Sequence, residues 1–397
     1  MELRKYTYKL YPSVTQKEQL LQWLDLHREL YNAAIQERIE CYQKTGKSIS
    51  YNDQQAGLTV TRAEIPEIKA IPVYSTRMTL RRVDKAFKAF FSRVKAGQKP
   101  GFPRFKGRAR FRSFEMCGGS GWSWHFGEDK KHGRLQIKGI GGVKARGKAR
   151  ILGKAKTSQI SFKNGQWYLS LTVETEAVAR EDRPTKVCAL DWGVETLVSV
   201  IEPGGRQTTV DNPRFYRRSA EQIVKLQQSL SNKKRGSNRY RKAHRNLAKA
   251  RARLQRQRTD RQHKLSARLA KDYALIATEE LNIKKMTKSA KGTQEKPGSW
   301  VKQKAGLNRE ILDTAPARLF DMIRYKVEET GGLFVLAPTR ALKPSQRCPN
   351  CGTVAKKTLS QRVHSCECGC VMPRDMASAL VVLNWALESG QELSEAA

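Results

Sequence analysis

The runs Lys186-Val-Cys-Ala-Leu190-Asp191-Trp-Gly193, Thr196-Leu-Val-Ser-Val-Ile201 and Arg206 to Val210, the last two separated by Gly204-Gly205, are short; the first two are largely apolar, and the last two are rich in β-branched residues. Runs of that length, bounded by glycine, predict three antiparallel strands. Two further strands follow at long intervals, Ala274-Leu-Ile-Ala-Thr278-Glu279-Glu280 and Gly332-Leu-Phe-Val-Leu-Ala337, and an apolar helical pattern from Met376 to Leu387 comes last. Between them lie a helical stretch from Asn212 to Lys271 and a helix from Arg309 to Glu329.

Three strands, a helix, a strand, a helix, a strand and a terminal helix is the order of an RNase H-like α/β domain. In that order Asp191 ends the first strand, Glu279 ends the fourth and Asp375 opens the last helix. Neighbouring strand ends lie about 5 Å apart and a helix N-terminus can pack over them, so three carboxylates could surround one two-metal site. Singly, each acid also fits a turn, a solvated strand end or a helix cap. Glu195 and Glu280 are the competing acids, and alternation turns Glu280 to the opposite face from Glu279.

Upstream the pattern differs. Leu3 to Leu10 alternates like a strand, Thr15-x-x-Glu18 offers a capping box, and Leu20, Leu21, Leu24, Leu30 and Tyr31 then follow helical spacing. A second helix runs from Tyr74 to Val94, its apolar face interleaved with Arg77, Arg81 and Lys85. From Lys99 to about Pro184 short β segments dominate, including a hairpin whose Asn164-Gly165 pair suits a tight turn. These segments predict a small β-barrel that the first strand joins, with the helices between as an insertion.

Before the last helix stand Cys348-Pro-Asn-Cys351 and Cys366-Glu-Cys368-Gly-Cys370. Two thiol pairs across such a spacer fit a tetrahedral structural zinc site. The expected ligands are Cys348, Cys351, Cys366 and Cys368. The second pair is one residue short of the usual spacing, which leaves Cys370 in reserve and His364 as a further substitute. Cys41, Cys117 and Cys188 are scattered singly, which suits a reducing compartment better than a disulfide framework.

A formal net charge of +39 over 397 residues argues for an extended polyanion partner, because self-repulsion at that charge is unfavourable without one. About twenty Lys and Arg crowd the stretch from 212 to 271 against Glu221 and Asp260. Arg239, Arg241, Arg245, Arg253 and Arg256 there, with Arg77, Arg81 and Lys85 on the second helix and Arg104 and Lys106 beside Phe102 and Phe105, are the candidate nucleic-acid contacts. A plain solvated helix is the alternative for the first group. Trp122, Trp124 and Phe126 fit a base-stacking surface or a barrel core equally well. Nowhere do about eighteen uncharged apolar residues run together, so no membrane association is expected.

Taken together, Tyr31-Asn32, Gly101-Phe-Pro-Arg-Phe105, Asp191-Trp-Gly193, Thr278-Glu279-Glu280-Leu281-Asn282, Pro344-Ser345-Gln346-Arg-Cys348-Pro-Asn-Cys351-Gly, and Cys368-Gly leading to Arg374-Asp375 resemble the TnpB (OrfB) proteins of insertion sequences. The resemblance spans nearly the whole chain. It implies an α+β multidomain protein: a wedge-type β-barrel (1–13 and 98–184) with an inserted helical recognition domain (14–97), a RuvC nuclease domain (185–340, including the basic segment 212–271), a target-nucleic-acid-binding zinc ribbon (341–371), and a last RuvC helix with its tail (372–397). It further implies Mg2+ at Asp191, Glu279 and Asp375, structural Zn2+, a guide RNA from the transposon end, and cleavage of double-stranded target DNA beside a short flanking motif. A monomeric ribonucleoprotein in the prokaryotic cytoplasm, associated with the nucleoid, is the expected setting. One departure is that Ala377-Ser378 replaces the asparagine common after the last aspartate. The alternatives are a guided DNA-binding repressor that does not cut and a transposase acting on its own element's ends. The second is disfavoured because no Tyr nucleophile flanked by a His pair stands out.

Overall fold

The computed structural model describes residues 2–117, 121–128, 131–149, 152–175, 184–358 and 360–389. The chain divides into two compact units, Met1–Val178 and Ala179–Ala397. The boundary expected near residue 184 adjoins 176–183, and the tail contains 390–397; both stretches lie outside the described residues.

In the first unit, β1 (Glu2–Tyr11) is followed by α1 (Val14–Thr45), α2 (Tyr51–Glu64), α3 (Pro66–Ala70) and α4 (Val73–Lys95). Six strands come next: β2 (Ser113–Cys117), β3 (Trp122–Phe126), β4 (Lys131–Ile137), β5 (Gly141–Lys148), β6 (Lys154–Lys163) and β7 (Gln166–Thr175). They form one sheet in the order β2-β6-β7-β1-β5-β4-β3, with every pairing antiparallel. The first strand therefore lies mid-sheet, between β7 and β5. Asn164 (φ 51°) and Gly165 (φ 76°) both take the left-handed conformation that a two-residue hairpin between β6 and β7 requires.

A closed barrel was the expectation, and the sheet is open instead. Its edges β2 and β3 do not pair with each other among the described residues. Helices do the covering: Leu20, Trp23 and Leu24 of α1 and Leu80 and Val83 of α4 share one buried cluster with Tyr8, Phe114, Met116, Leu135 and Leu169 of the sheet. With apolar helix faces available, the concave side needs no strand closure. Trp122 and Trp124 are buried in this cluster and the Trp124 ring lies 4.4 Å from that of Tyr8, so they are core and not a stacking surface. Ser13, not Thr15, caps α1, in a reciprocal box with Gln16.

The second unit begins with β8 (Lys186–Trp192), β9 (Thr196–Ile201) and β10 (Gln207–Asp211). The helical stretch after them is a hairpin, α5 (Phe215–Ser231) and α6 (Asn238–Asp272), followed by β11 (Tyr273–Glu279) and the short α7 (Ile283–Met286). The helix expected from Arg309 to Glu329 is two, α8 (Val301–Thr314) and α9 (Pro316–Glu328), broken where Pro316 has no N–H to give. Next come β12 (Leu333–Ala337), α10 (Thr339–Leu342), the small β13 (Val363–Ser365) and β14 (Val371–Pro373), and α11 (Arg374–Glu388).

Five strands form a sheet in the order β10-β9-β8-β11-β12, antiparallel on the β8–β10 side and parallel across β8-β11-β12. One face packs on Leu265 and Leu269 of α6 and Leu319, Phe320 and Ile323 of α9. The other face, with Ala189, Leu275 and Ala277, packs on Ala379, Val382, Leu383 and Ala386 of α11. Apolar residues on both faces of β8 and β11 suit strands buried on two sides.

Candidate active site and thiol cluster

Strand alternation decides where the acids point. Cys188 and Leu190 face the α6–α9 layer while Ala189 faces α11, so Asp191 also turns toward α11. On β11, Ile276 and Ala277 divide in the same way, which turns Glu279 to the α11 side and leaves Glu280 exposed. Leu190 pairs with Thr278 in parallel register, and the Thr278 hydroxyl donates to the Leu190 carbonyl at 2.9 Å. The next residue on each strand, Asp191 and Glu279, therefore emerges side by side at the carboxyl ends of the two central parallel strands. Glu195 is exposed and sits 3.5 Å from Arg362.

Helix α11 supplies the third acid. Asp375 lies in its first turn, and Ser378, one turn further on the same face, donates to Glu279 Oε1 at 3.0 Å. Burial pushes the Asp191 carboxyl well above the usual carboxylate range, and the Glu279 and Asp375 charges push it further. A hydrogen bond from Ser378 and the Arg374 cation oppose this without cancelling it. Glu279 is also raised, by burial, against the pull of Ser378. Enclosed carboxylates gathered around Asp191 call for a compensating cation, and a divalent ion would supply one. Their oxygens are not all within 4.8 Å of one another, the spacing met by the thiol groups below. A pair of ions about 3.5–4 Å apart calls for acids spread around both.

The Cys348 and Cys351 thiols meet the Cys366 and Cys368 thiols in a grouping whose sulfur atoms lie within 4.8 Å of one another. Cys348 Sγ is 3.6 Å from Cys368 Sγ, and Cys351 Sγ is 3.5 Å from Cys366 Sγ. A tetrahedron with Zn–S bonds of about 2.3 Å has edges of roughly 3.8 Å, so these four residues fit zinc with little movement. The short second pair is accommodated by a turn in which Gly369 N–H donates to the Cys366 carbonyl, with Gly369 at φ 82°. Burial opposes ionisation of Cys348, but the amides of Cys351 and Asn350 and the Cys368 thiol outweigh it and lower its pKa. Cys370 falls in a second, overlapping grouping with Cys348 and buried His364.

The thiol cluster is joined to the acids through the chain itself, because β14 runs directly into α11. Asn384 of α11 also donates to the Pro349 carbonyl, inside the first thiol pair, at 3.0 Å.

Three family models match parts of the chain. Residues 170–290 match the OrfB_IS605 model, described as "Probable transposase", residues 317–382 match the Cas12f1-like TNB domain, and residues 1–47 match the OrfB_IS605 helix-turn-helix domain. A protein of Escherichia coli (strain K12) named "Putative RNA-guided DNA endonuclease InsQ" is 27% identical over 368 residues, covering 92% of this chain and 87% of that protein. A Streptomyces pristinaespiralis protein named "Putative RNA-guided DNA endonuclease" is 27% identical over 390 residues, covering 96% and 88%.

The chain is similar to the TnpB (OrfB) proteins over most of its length.

The fold of a Cas12f1 chain, solved in complex with sgRNA and target DNA, superposes with a TM-score of 0.58 at 12% identity, over 94% of this chain and 83% of that one. This chain thus shares the α+β fold of that Cas12f1 chain, with a half-barrel sheet. The segment matched as helix-turn-helix contains β1 and the single continuous helix α1.

Two of the family motifs have a packing role here. Asn32 accepts from the Lys106 amide at 2.8 Å and donates to its carbonyl at 3.1 Å, while the Lys106 ammonium lies 4.4 Å from the centre of the Tyr31 ring. Lys106 is therefore partly buried as an anchor for the 100–111 loop, whereas Arg104 is exposed. Arg81 and Lys85 are exposed on α4, and the half-buried Arg77 guanidinium lies over the Tyr74 ring. On α6, only a narrow stripe including Leu247 and Leu254 is buried, against Ile223 of α5. Arg239, Arg241, Arg245, Arg253 and Arg256 all point into solvent. No helix among the described residues is long and apolar enough to cross a membrane.

The residue that sequence reasoning missed is Ser378. Its spacing of three from Asp375 on a helix was visible, but its partner depends on how α11 lies over β11.

Proposed function

We propose that this protein is an RNA-guided DNA endonuclease whose RuvC-type centre is Asp191, Glu279 and Asp375. The observation that carries the reading is the meeting of Asp191 and Glu279, at paired ends of β8 and β11, with the first turn of α11. The sheet order, three antiparallel strands continued by two parallel ones, is the one an RNase H-like nuclease needs. Two relatives carry RNA-guided endonuclease names, and the Cas12f1 neighbour was solved with sgRNA and target DNA.

Residues 1–13 and 98–184 would be the wedge half-barrel, 14–97 the recognition helices, 185–340 with 372–397 the nuclease domain, and 341–371 a zinc ribbon held by Cys348, Cys351, Cys366 and Cys368. Asp191, Glu279 and Asp375 would hold Mg2+, which when bound would supply an ionised water and a counter-charge for the departing oxygen. The chain's own contribution is positional. β8 and β11 fix two acids on rigid elements, α11 brings the third, and the surrounding core keeps bulk water from screening them. The exposed arginines of α6 engage backbone phosphates, which favours a guide RNA copied from the transposon end and its DNA target as partners.

The test is cleavage of target DNA, beside its flanking motif, by the ribonucleoprotein in Mg2+. Asp191→Ala should lower cutting by at least about 100-fold, beyond what loss of a merely supporting residue costs, while target occupancy persists. Wild-type protein that occupies its target and leaves it intact would instead identify a guided repressor.

A further inference from the structure

Ser378 is 3% exposed on the face of α11 that covers the sheet. The other buried residues of that helix are Met, Ala, Val and Leu, so a hydroxyl is out of place there unless it has a partner. A serine inside a helix ordinarily returns its hydroxyl to the carbonyl four residues back. Ser378 turns the other way and donates to Glu279 Oε1 at 3.0 Å, across a sequence separation of 99 residues. No other hydrogen bond among the described residues engages that carboxylate.

We propose that Ser378 is a positioning residue that sets the divalent-ion affinity of the carboxylate centre. Its hydroxyl fixes the Glu279 side chain beside Asp191 before a cation arrives and leaves Oε2 free for it. Two acids that would otherwise swing apart under mutual repulsion are thus held ready, and the cation does not have to gather them. This inference rests on the nuclease reading above and adds what tunes the same site.

Mn2+ binding is measured by electron paramagnetic resonance on the guide-loaded protein without DNA. The Mg2+ dependence of cleavage is then measured with DNA, and melting temperature is followed throughout. Ser378→Ala should raise the midpoint for both ions by about tenfold, in the range that loss of a ligand-orienting partner produces. The maximal rate at saturating Mg2+ should stay within a few-fold of wild type. Ser378→Thr, which keeps the hydroxyl, should restore the midpoint. Ser378→Cys, with a weak donor of similar size, should fall between and covers the case of an alanine variant that folds poorly. Wild-type Mn2+ affinity in the Ala or Cys variant overturns the proposal, as does a loss of melting temperature without a shift in midpoint. Asp191→Ala run in parallel separates the failures. If it still cuts, the nuclease reading is wrong; if it is inactive while Ser378→Ala has normal midpoints, only the role of Ser378 is.

Discussion

The carboxylate centre and the thiol cluster, neighbours along the chain, are assembled by opposite means. Asp191 and Glu279 are placed by a parallel strand pair and two packed layers, so their meeting is imposed by a core that would form without them. The four thiols sit on turns beside the two-stranded β13–β14 sheet, and of the four only Cys348 is buried. The first site is held together despite its own repulsion; the second, on the zinc reading proposed above, would depend on its metal to be held. A site charged by the fold can be damaged without unfolding anything, whereas a site that folds its own segment cannot.

The largest expected effect tests that contrast directly. Asp375→Ala and Cys348→Ser should both lower cleavage by at least about 100-fold. Only Cys348→Ser should also open residues 343–373 to limited proteolysis, because zinc binding there is folding free energy. Equal protease resistance of the two variants would erase the distinction.

The next effect is one of stability and has opposite signs at the two sites. The Asp191 carboxyl is raised by burial and by its acidic neighbours. The folded state therefore holds a proton that the unfolded chain releases near pH 4, and stability falls as pH climbs from there through the raised value. Asp191→Asn removes that loss. It should raise the melting temperature by a few degrees at neutral pH without divalent ions, with the gain vanishing at and below about pH 4. Added Mg2+ should stabilise the wild type and not the variant. A Cys366→Ser change should only lower melting, and a destabilised Asp191→Asn would mean that the acids are not crowded.

A smaller effect concerns neither site but the exposed α6 arginines that would carry nucleic acid to them. Replacing Arg245 and Arg253 by Glu should flatten the log–log salt dependence of guide binding by roughly 0.7–0.9 for each phosphate that is no longer neutralised. Melting should not change, since both side chains are in solvent. An unchanged slope would leave α6 a solvated helix.

Much of the carboxylate centre was legible because alternation in β8 and β11 is a local property, and the face toward which Asp191 and Glu279 point follows from it. The succession of strands and helices in the second unit was legible because each run's composition is also local. What could not be read depends on packing between distant segments. Whether β2 and β3 meet is decided by how α1 and α4 cover the sheet, and the Ser378–Glu279 bond by the height of α11 over β11. Other misses were local. Pro316 should have divided Arg309 to Glu329, and Ser13 lay in reach as a cap ahead of Thr15. The Gly369 turn, which spacing alone underdetermines, puts Cys368 in the four-thiol grouping and Cys370 in the overlapping one with Cys348 and His364.

The smallest expected effect examines the link between the two regions. Asn384, on the helix that carries Asp375, donates to the Pro349 carbonyl at 3.0 Å between the first two thiols, and this bond is part-buried. Such a bond contributes about 1 kcal/mol net, equivalent to roughly a fivefold change in an equilibrium. Asn384→Ala should therefore leave cleavage near wild type in excess zinc, because neither set of ligands is touched. Zinc transfer to a chelator should become about fivefold easier, and activity should decay with the metal. Zinc loss at the wild-type rate would show that the thiol cluster stands apart from α11. Loss of activity before loss of zinc would show that the bond serves the position of Asp375, so that the self-folding site helps to aim the site imposed by the core.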